Sequence, residues 1–203
     1  MQKRQTYLIA GALIALLVGL PFLPGLWSSI HSYGLVVNKP APDFKLTNTA
    51  GEQRQLVDFQ GEFLYLYFGY LNCNGVCQTH IATFFHLAKQ TPEKDFKIAF
   101  ITLDPARDSA ELLAQRIDGL DPRFIGLRAE STHAIQQLAL AYKVPFYQTS
   151  QATEYEINHA GFVFLIDKNG QWRRTYTGRF LDYTKMQQDL TTLRLEQTNP
   201  NKI

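Results

Sequence analysis

The chain predicts an α/β fold, a mixed central sheet flanked by helices, preceded by one transmembrane helix. Three observations carry this expectation. Apolar runs at Phe63–Phe68, Lys97–Leu103 and Gly161–Asp167 have the length and the aromatic or β-branched content of buried strands. Segments of helical periodicity alternate with them, as in a sandwich around one sheet. Ahead of both, an uncharged apolar stretch from Tyr7 to Trp27 follows Lys3 and Arg4.

That stretch meets the length of about 20 apolar residues that a bilayer core requires. A cleaved signal peptide would have a shorter apolar core and a small-x-small cleavage site. Only Ser32-Tyr33-Gly34 resembles such a site, and it lies late, so an uncleaved anchor is the favoured reading. Pro21 and Pro24 fall near the end of the span, where they are tolerated. Lys3 and Arg4 would hold the N-terminus in the cytoplasm. The expected location is a bacterial inner membrane, crossed once, with the C-terminal domain on the periplasmic side. The 203 residues suit one globular domain plus this appendage. The expected divisions are an anchor and flank at 1–31, a linker at 32–42, the domain at 43–196 and a tail at 197–203. With Lys3 and Arg4 set aside from the 20 basic residues, the remainder balances its 18 acidic ones. A domain without net charge gives no support for a nucleic-acid partner.

The elements follow in order. Pro40 and Pro42 keep the linker extended. Asp43–Leu46 alternates, Asn48–Gly51 supplies turn residues, and Gln53–Leu56 returns, which predicts a hairpin. After the Phe63–Phe68 strand, apolar positions from Val76 to Ala88 recur at helical spacing until Pro92 stops the run. Lys97–Leu103 is the next strand, and Ser109–Ile117 a helix with Asp108 or Ser109 as its N-cap. Arg123–Leu127 reads as a short strand, and Ser131–Lys143 as a helix halted before Pro145. Val144–Asn158 reads as a long irregular loop that delivers His159 to the edge of the Gly161–Asp167 strand. Trp172–Tyr176 completes a terminal hairpin, and Leu181–Leu195 closes the chain as an amphipathic helix.

The chemistry centres on two cysteines. Cys73-Asn74-Gly75-Val76-Cys77 follows directly on the Phe63–Phe68 strand. A buried strand ending in a thiol pair is where thioredoxin-like proteins keep their chemistry. Here three residues separate the thiols, so a helical segment places both on one face about 5–6 Å apart. That separation permits a disulfide and leaves room for one soft metal ion between two thiolates. The helix N-terminus should lower both thiols toward partial ionisation near neutrality. A plain structural disulfide would close a loop of three residues, which adds little chain-entropy stabilisation.

Five histidines could complete a site. His31 borders the membrane, His133 starts a helix, and His86 lies more than two turns beyond Cys77. His80 follows Cys77 by three residues and could come close, although such a residue more often packs or faces solvent. His159 precedes what should be a strand adjacent to the one feeding Cys73, and it is the stronger candidate third ligand. Two thiolates and one imidazole suit copper, particularly Cu(I), better than a four-coordinate structural zinc. The carboxylates of Asp104 and Asp108 are most simply a strand end and a helix cap.

Taken together, Tyr67–Cys73, Cys77, the run Ile101–Asp108 (ITLDPARD) and His159 eight residues before Asp167 resemble the Sco/SenC copper-assembly proteins. The resemblance extends from about Pro40 to Leu195. It implies a thioredoxin-like domain on a membrane anchor and copper ligands at Cys73, Cys77 and His159. It also implies a chaperone role toward the apo copper-site subunit of a terminal oxidase, with an upstream periplasmic dithiol reductant. Family members can also act as dithiol reductants, so a thiol–disulfide oxidoreductase that carries no metal is the alternative. A redox or copper sensor is a third reading. Proline usually follows each cysteine in the family, whereas Asn74 and Gln78 stand here, which should loosen the Cys73 end. His80 stands where an acidic residue is common.

Overall fold

A computed structural model of the chain describes residues 32–73, 75–150 and 155–198. The expected anchor over 1–31 lies outside the described residues, and among those residues no helix is long and apolar enough to cross a membrane.

An eight-stranded mixed sheet organises the fold, in the order β1 (Leu35–Pro40), β10 (Gln171–Tyr176), β9 (Val163–Ile166), β4 (Phe63–Gly69), β5 (Phe96–Thr102), β6 (Phe124–Arg128), β2 (Lys45–Asn48) and β3 (Gln53–Gln55). At its centre is β4 (Phe63–Gly69), every residue of which is buried. A strand covered on both faces reads as an unbroken apolar run rather than an alternation, and FLYLYFG is one. It runs parallel to β5 (Phe96–Thr102), which runs parallel to β6 (Phe124–Arg128). Parallel neighbours require crossovers. These are α1 (Val76–Gln90) between β4 and β5, and α2 (Ala110–Arg116) between β5 and β6. On its other side β4 pairs antiparallel with β9 (Val163–Ile166), in the register Tyr67 opposite Val163. The expected adjacency of these two strands therefore holds.

The two faces of β4 carry different aromatic layers. Tyr65 and Tyr67 reach Phe84 of α1 at 6.0 and 6.1 Å between ring centroids. The Tyr65 hydroxyl donates to the Met186 carbonyl of α4 (Tyr183–Thr198) at 3.1 Å. On the opposite face Phe68 meets Tyr142, 5.5 Å away at the end of α3 (Thr132–Ala141). Phe164 there stands edge-on to Trp172 at 4.9 Å. Each such pair adds about 0.5–1.5 kcal/mol beyond its buried area.

Three expectations are corrected. Residues 32–42 are not a free linker, because β1 (Leu35–Pro40) pairs antiparallel with β10 (Gln171–Tyr176) at the sheet edge. Pro40 ends that edge strand, a position where its missing N–H costs no ladder bond. Val144–Asn158 is not wholly irregular: β7 (Phe146–Gln148) and β8 (Ile157–His159) form a separate two-stranded sheet, with Phe146 opposite His159. The last helix runs on to Thr198, into the expected tail. The N-terminal hairpin forms as expected from β2 (Lys45–Asn48) and β3 (Gln53–Gln55).

Candidate metal centre

The site begins where β4 ends. At Gly69 a Cβ would lie 2.7 Å from the Tyr67 ring and 2.9 Å from the Phe100 ring, so glycine lets both rings pack against the strand end. The backbone N–H of Leu71 then donates to Asp108 Oδ2 at 3.0 Å, which fixes the turn leading to Cys73. Gly75 is the N-cap of α1, and Cys77 occupies its first turn. Gln78 reaches back from the helix to the Leu71 carbonyl at 3.5 Å.

Cys73 is 8 % exposed and Cys77 fully buried, and neither is in a disulfide. His159 Nε2 lies 3.5 Å from Cys77 Sγ. The ligand atoms of Cys73, Cys77 and His159 all fall within 4.8 Å of one another. Among the described residues this is the one cluster of three or more His, Cys, Asp or Glu groups able to hold a metal ion. His159 Nδ1 is 3.0 Å from the Ala160 carbonyl. A carbonyl only accepts, so Nδ1 carries the proton and Nε2 is the nitrogen that faces the sulfurs. In the neutral ring Nε2 presents a lone pair, the form that ligates metals.

The two thiols do not behave alike. A hydrogen bond from the Cys77 thiol holds Cys73 far below the ordinary thiol range, with help from His159 and the backbone amides of Cys77 and Gly75. That same hydrogen bond, together with burial, pushes Cys77 up. The expectation of partial ionisation thus holds for Cys73 and is reversed for Cys77. The helix amides serve one sulfur, and the pair shares the remaining proton.

His80 is a packing residue. It is fully buried, its Nε2 donates to the Gly178 carbonyl at 3.1 Å, and its ring stands edge-on to Tyr67 at 5.1 Å. His86 stacks on Tyr183, and His133 is exposed beside Gln137. Behind the sulfurs the Tyr67 hydroxyl is buried against Cys77, and burial together with that neighbour pushes it well above the ordinary phenol range. In front, a cleft of about 300 Å³ opens between Cys73, His159, Tyr70, Glu156 and Thr149. The donor set fits a soft ion: two sulfurs, one of them already a thiolate, and one imidazole nitrogen aimed at them.

Asp108 has a role that its sequence position did not suggest. Ser109, not Asp108, caps α2 by accepting from Leu112 N–H. Asp108 instead accepts from Leu71 N–H and, at 2.5 Å, from the Thr102 hydroxyl, while burial pushes its carboxyl upward. Tyr70 and Glu156 also line the cleft, and Arg107 and Tyr155 pack together beside Asp104. Tyr70 and Arg107 fall in the Tyr67–Cys73 and ITLDPARD runs, whereas Tyr155 and Glu156 carried no signal in the sequence.

Two cysteine sulfurs and an imidazole gathered at the end of the central strand of a thioredoxin-like domain define a class of proteins by fold and donor set. Within that class, the chain belongs to the SCO1/SenC family, whose model matches residues 37–194. It is 29 % identical over 147 residues to the mitochondrial SCO1 homolog of Homo sapiens, spanning 69 % of this chain and 46 % of that one. The chain thus covers about half the length of this relative. Arabidopsis thaliana ScoI with copper bound aligns with a TM-score of 0.67 at 22 % identity, covering 75 % of this chain and 96 % of that structure. BsSco aligns with a TM-score of 0.63 at 21 % identity over 77 % of this chain and 94 % of its own. BsSco is described as having a disulfide switch and as a member of the Sco family of cytochrome c oxidase assembly proteins.

Proposed function

We propose that this chain is a copper metallochaperone that delivers Cu(I) to the apo dinuclear copper site of a respiratory terminal oxidase. The observation that carries this reading is the convergence of Cys73, Cys77 and His159 within 4.8 Å at the wall of an open cleft. The copper is cargo. Cys73 and His159 line the cleft, so an incoming client ligand meets them first, while the buried Cys77 sulfur lies behind. Transfer then proceeds by stepwise exchange of ligands. In this reading residues 1–31 anchor the domain in the bacterial inner membrane, the copper site faces the periplasm, and a periplasmic dithiol reductant keeps the cysteines reduced. Forming the Cys73–Cys77 disulfide passes two electrons and the pair's one remaining proton to an oxidant, leaves no thiolate, and switches binding off.

A second reading, thiol–disulfide exchange without metal, is favoured by one observation. A low-lying, cleft-facing Cys73 beside a buried thiol is also the layout of an attacking and a resolving cysteine. Reduction needs two sulfurs, whereas a three-coordinate carrier needs the imidazole as well. In cells at limiting copper, His159→Ala should therefore lower oxidase activity as deletion does, and added copper should partly restore it. A fully active His159→Ala strain at low copper, with either cysteine variant inactive, would instead assign the protein to dithiol exchange.

A further inference from the structure

We infer that the Asp104–Asp108 turn sets the spacing between the thiol pair and the imidazole, with Arg107 the positioning residue for His159. This rests on the three-ligand copper reading above. His159 sits on β8, and β7 and β8 pair only with each other, so no ladder bond of the main sheet fixes its place. Ile157 seats the hairpin in the core, with Phe146 packed against it, and a set of polar contacts to the turn after β5 fixes its position further. Arg107 forms an ion pair through Nε with the buried Asp104 carboxylate. Its Nη1 donates to the Tyr155 carbonyl at 3.0 Å, and its guanidinium lies 3.6 Å over the Tyr155 ring. The Tyr155 hydroxyl donates back to Asp104 Oδ1 at 2.8 Å. Both the main chain and the side chain of Tyr155, four residues before His159, are thus held.

The neighbouring residues continue the restraint. The Tyr70 hydroxyl donates to Glu156 and accepts from Ile157 N–H at 3.3 Å, and the Tyr70 ring stands edge-on to His159 at 6.1 Å. At its other end the same turn holds the cysteine side, through Asp108 and the Leu71 N–H. One five-residue segment therefore grips both ligand-bearing stretches. The planar fork of arginine makes this possible, since it can pair, donate and stack at once, which a lysine cannot do.

The test uses the full-length chain, reduced, in mild detergent, with Cu(I) affinity read by competition with a chromophoric chelator. Arg107→Gln should weaken binding about tenfold, the usual scale for partners that orient a metal ligand. Tyr155→Phe, which removes only the hydroxyl bond to Asp104, should act in the same direction and remain informative if Arg107→Gln does not fold. The Arg107→Gln/His159→Ala double variant should bind no more weakly than His159→Ala alone. In the metal-free protein, amides of residues 156–159 should exchange faster in Arg107→Gln than in the parent. Wild-type affinity in both single variants, or a double variant whose loss is the product of the two single losses, would overturn the inference. A His159→Ala variant of wild-type affinity would remove the three-ligand reading itself, and this inference with it.

Discussion

Cys73 lies just before α1 and Cys77 in its first turn, yet the fold gives them opposite acidities. Cys73 collects the thiol proton of Cys77 and the first amides of α1, whereas Cys77 is sealed from solvent. Near neutrality the reduced pair then carries one charge and one proton. Copper binding by both sulfurs must expel that proton. Cu(I) affinity should therefore rise with pH, by about tenfold per unit for one released proton. Calorimetry in buffers of different ionisation enthalpy should report one proton released per copper, and a pH-independent affinity would contradict the assignment. The acidity of Cys73 was legible in the sequence, because a cysteine just before a helix meets its amides. The reversal at Cys77 was not, because it depends on a sulfur–sulfur contact and on burial that only packing supplies. The packing role of His80 was hidden for the same reason: its partner is the Gly178 carbonyl, 98 positions away.

At the scale of elements, β4, β5, β9 and α1 were readable because each has a long, uniform pattern: unbroken apolar runs for buried strands and apolar recurrence for the helix. The elements missed were short or depended on remote partners. β7 and β8 have three residues each, too few to show an alternation, and they pair across the undescribed 151–154. β1 looked like a linker because its pairing with β10 joins residues far apart in the chain. The end of β4 is the most constrained point of the element that feeds the site. A methyl at Gly69 would meet two buried aromatic rings below 3.0 Å, and neither ring can retreat in a full core. Gly69→Ala should lower the unfolding free energy of the metal-free protein by about 1–3 kcal/mol, as overpacking does. Urea denaturation measures this, and an unchanged midpoint would show that the two rings have room to move.

At the scale of the whole molecule, the site is a consequence of sheet order. Placing β9 beside β4 brings the chain just before Val163 to the end of the strand that feeds Cys73, so that residues 82 positions apart come within 3.5 Å. The domain also begins earlier than the composition suggested. Asp189 of α4 accepts from the backbone N–H groups of Tyr33 and Gly34 at 3.0 and 2.8 Å, which fastens the first described residues to the last helix. An anchor over residues 1–31, as proposed, would therefore join a fixed point on the domain rather than a loose linker. In the proposed function, Cys73, Cys77 and His159 together hold one copper ion. This is tested most directly by loading the reduced full-length chain with Cu(I), removing excess, and measuring bound copper with X-ray absorption at the metal. One copper per chain is expected, coordinated by two sulfurs and one nitrogen, with no tight binding after Cys73→Ser/Cys77→Ser. Stoichiometric copper in that double variant, or a copper site without the nitrogen in the parent chain, would contradict it.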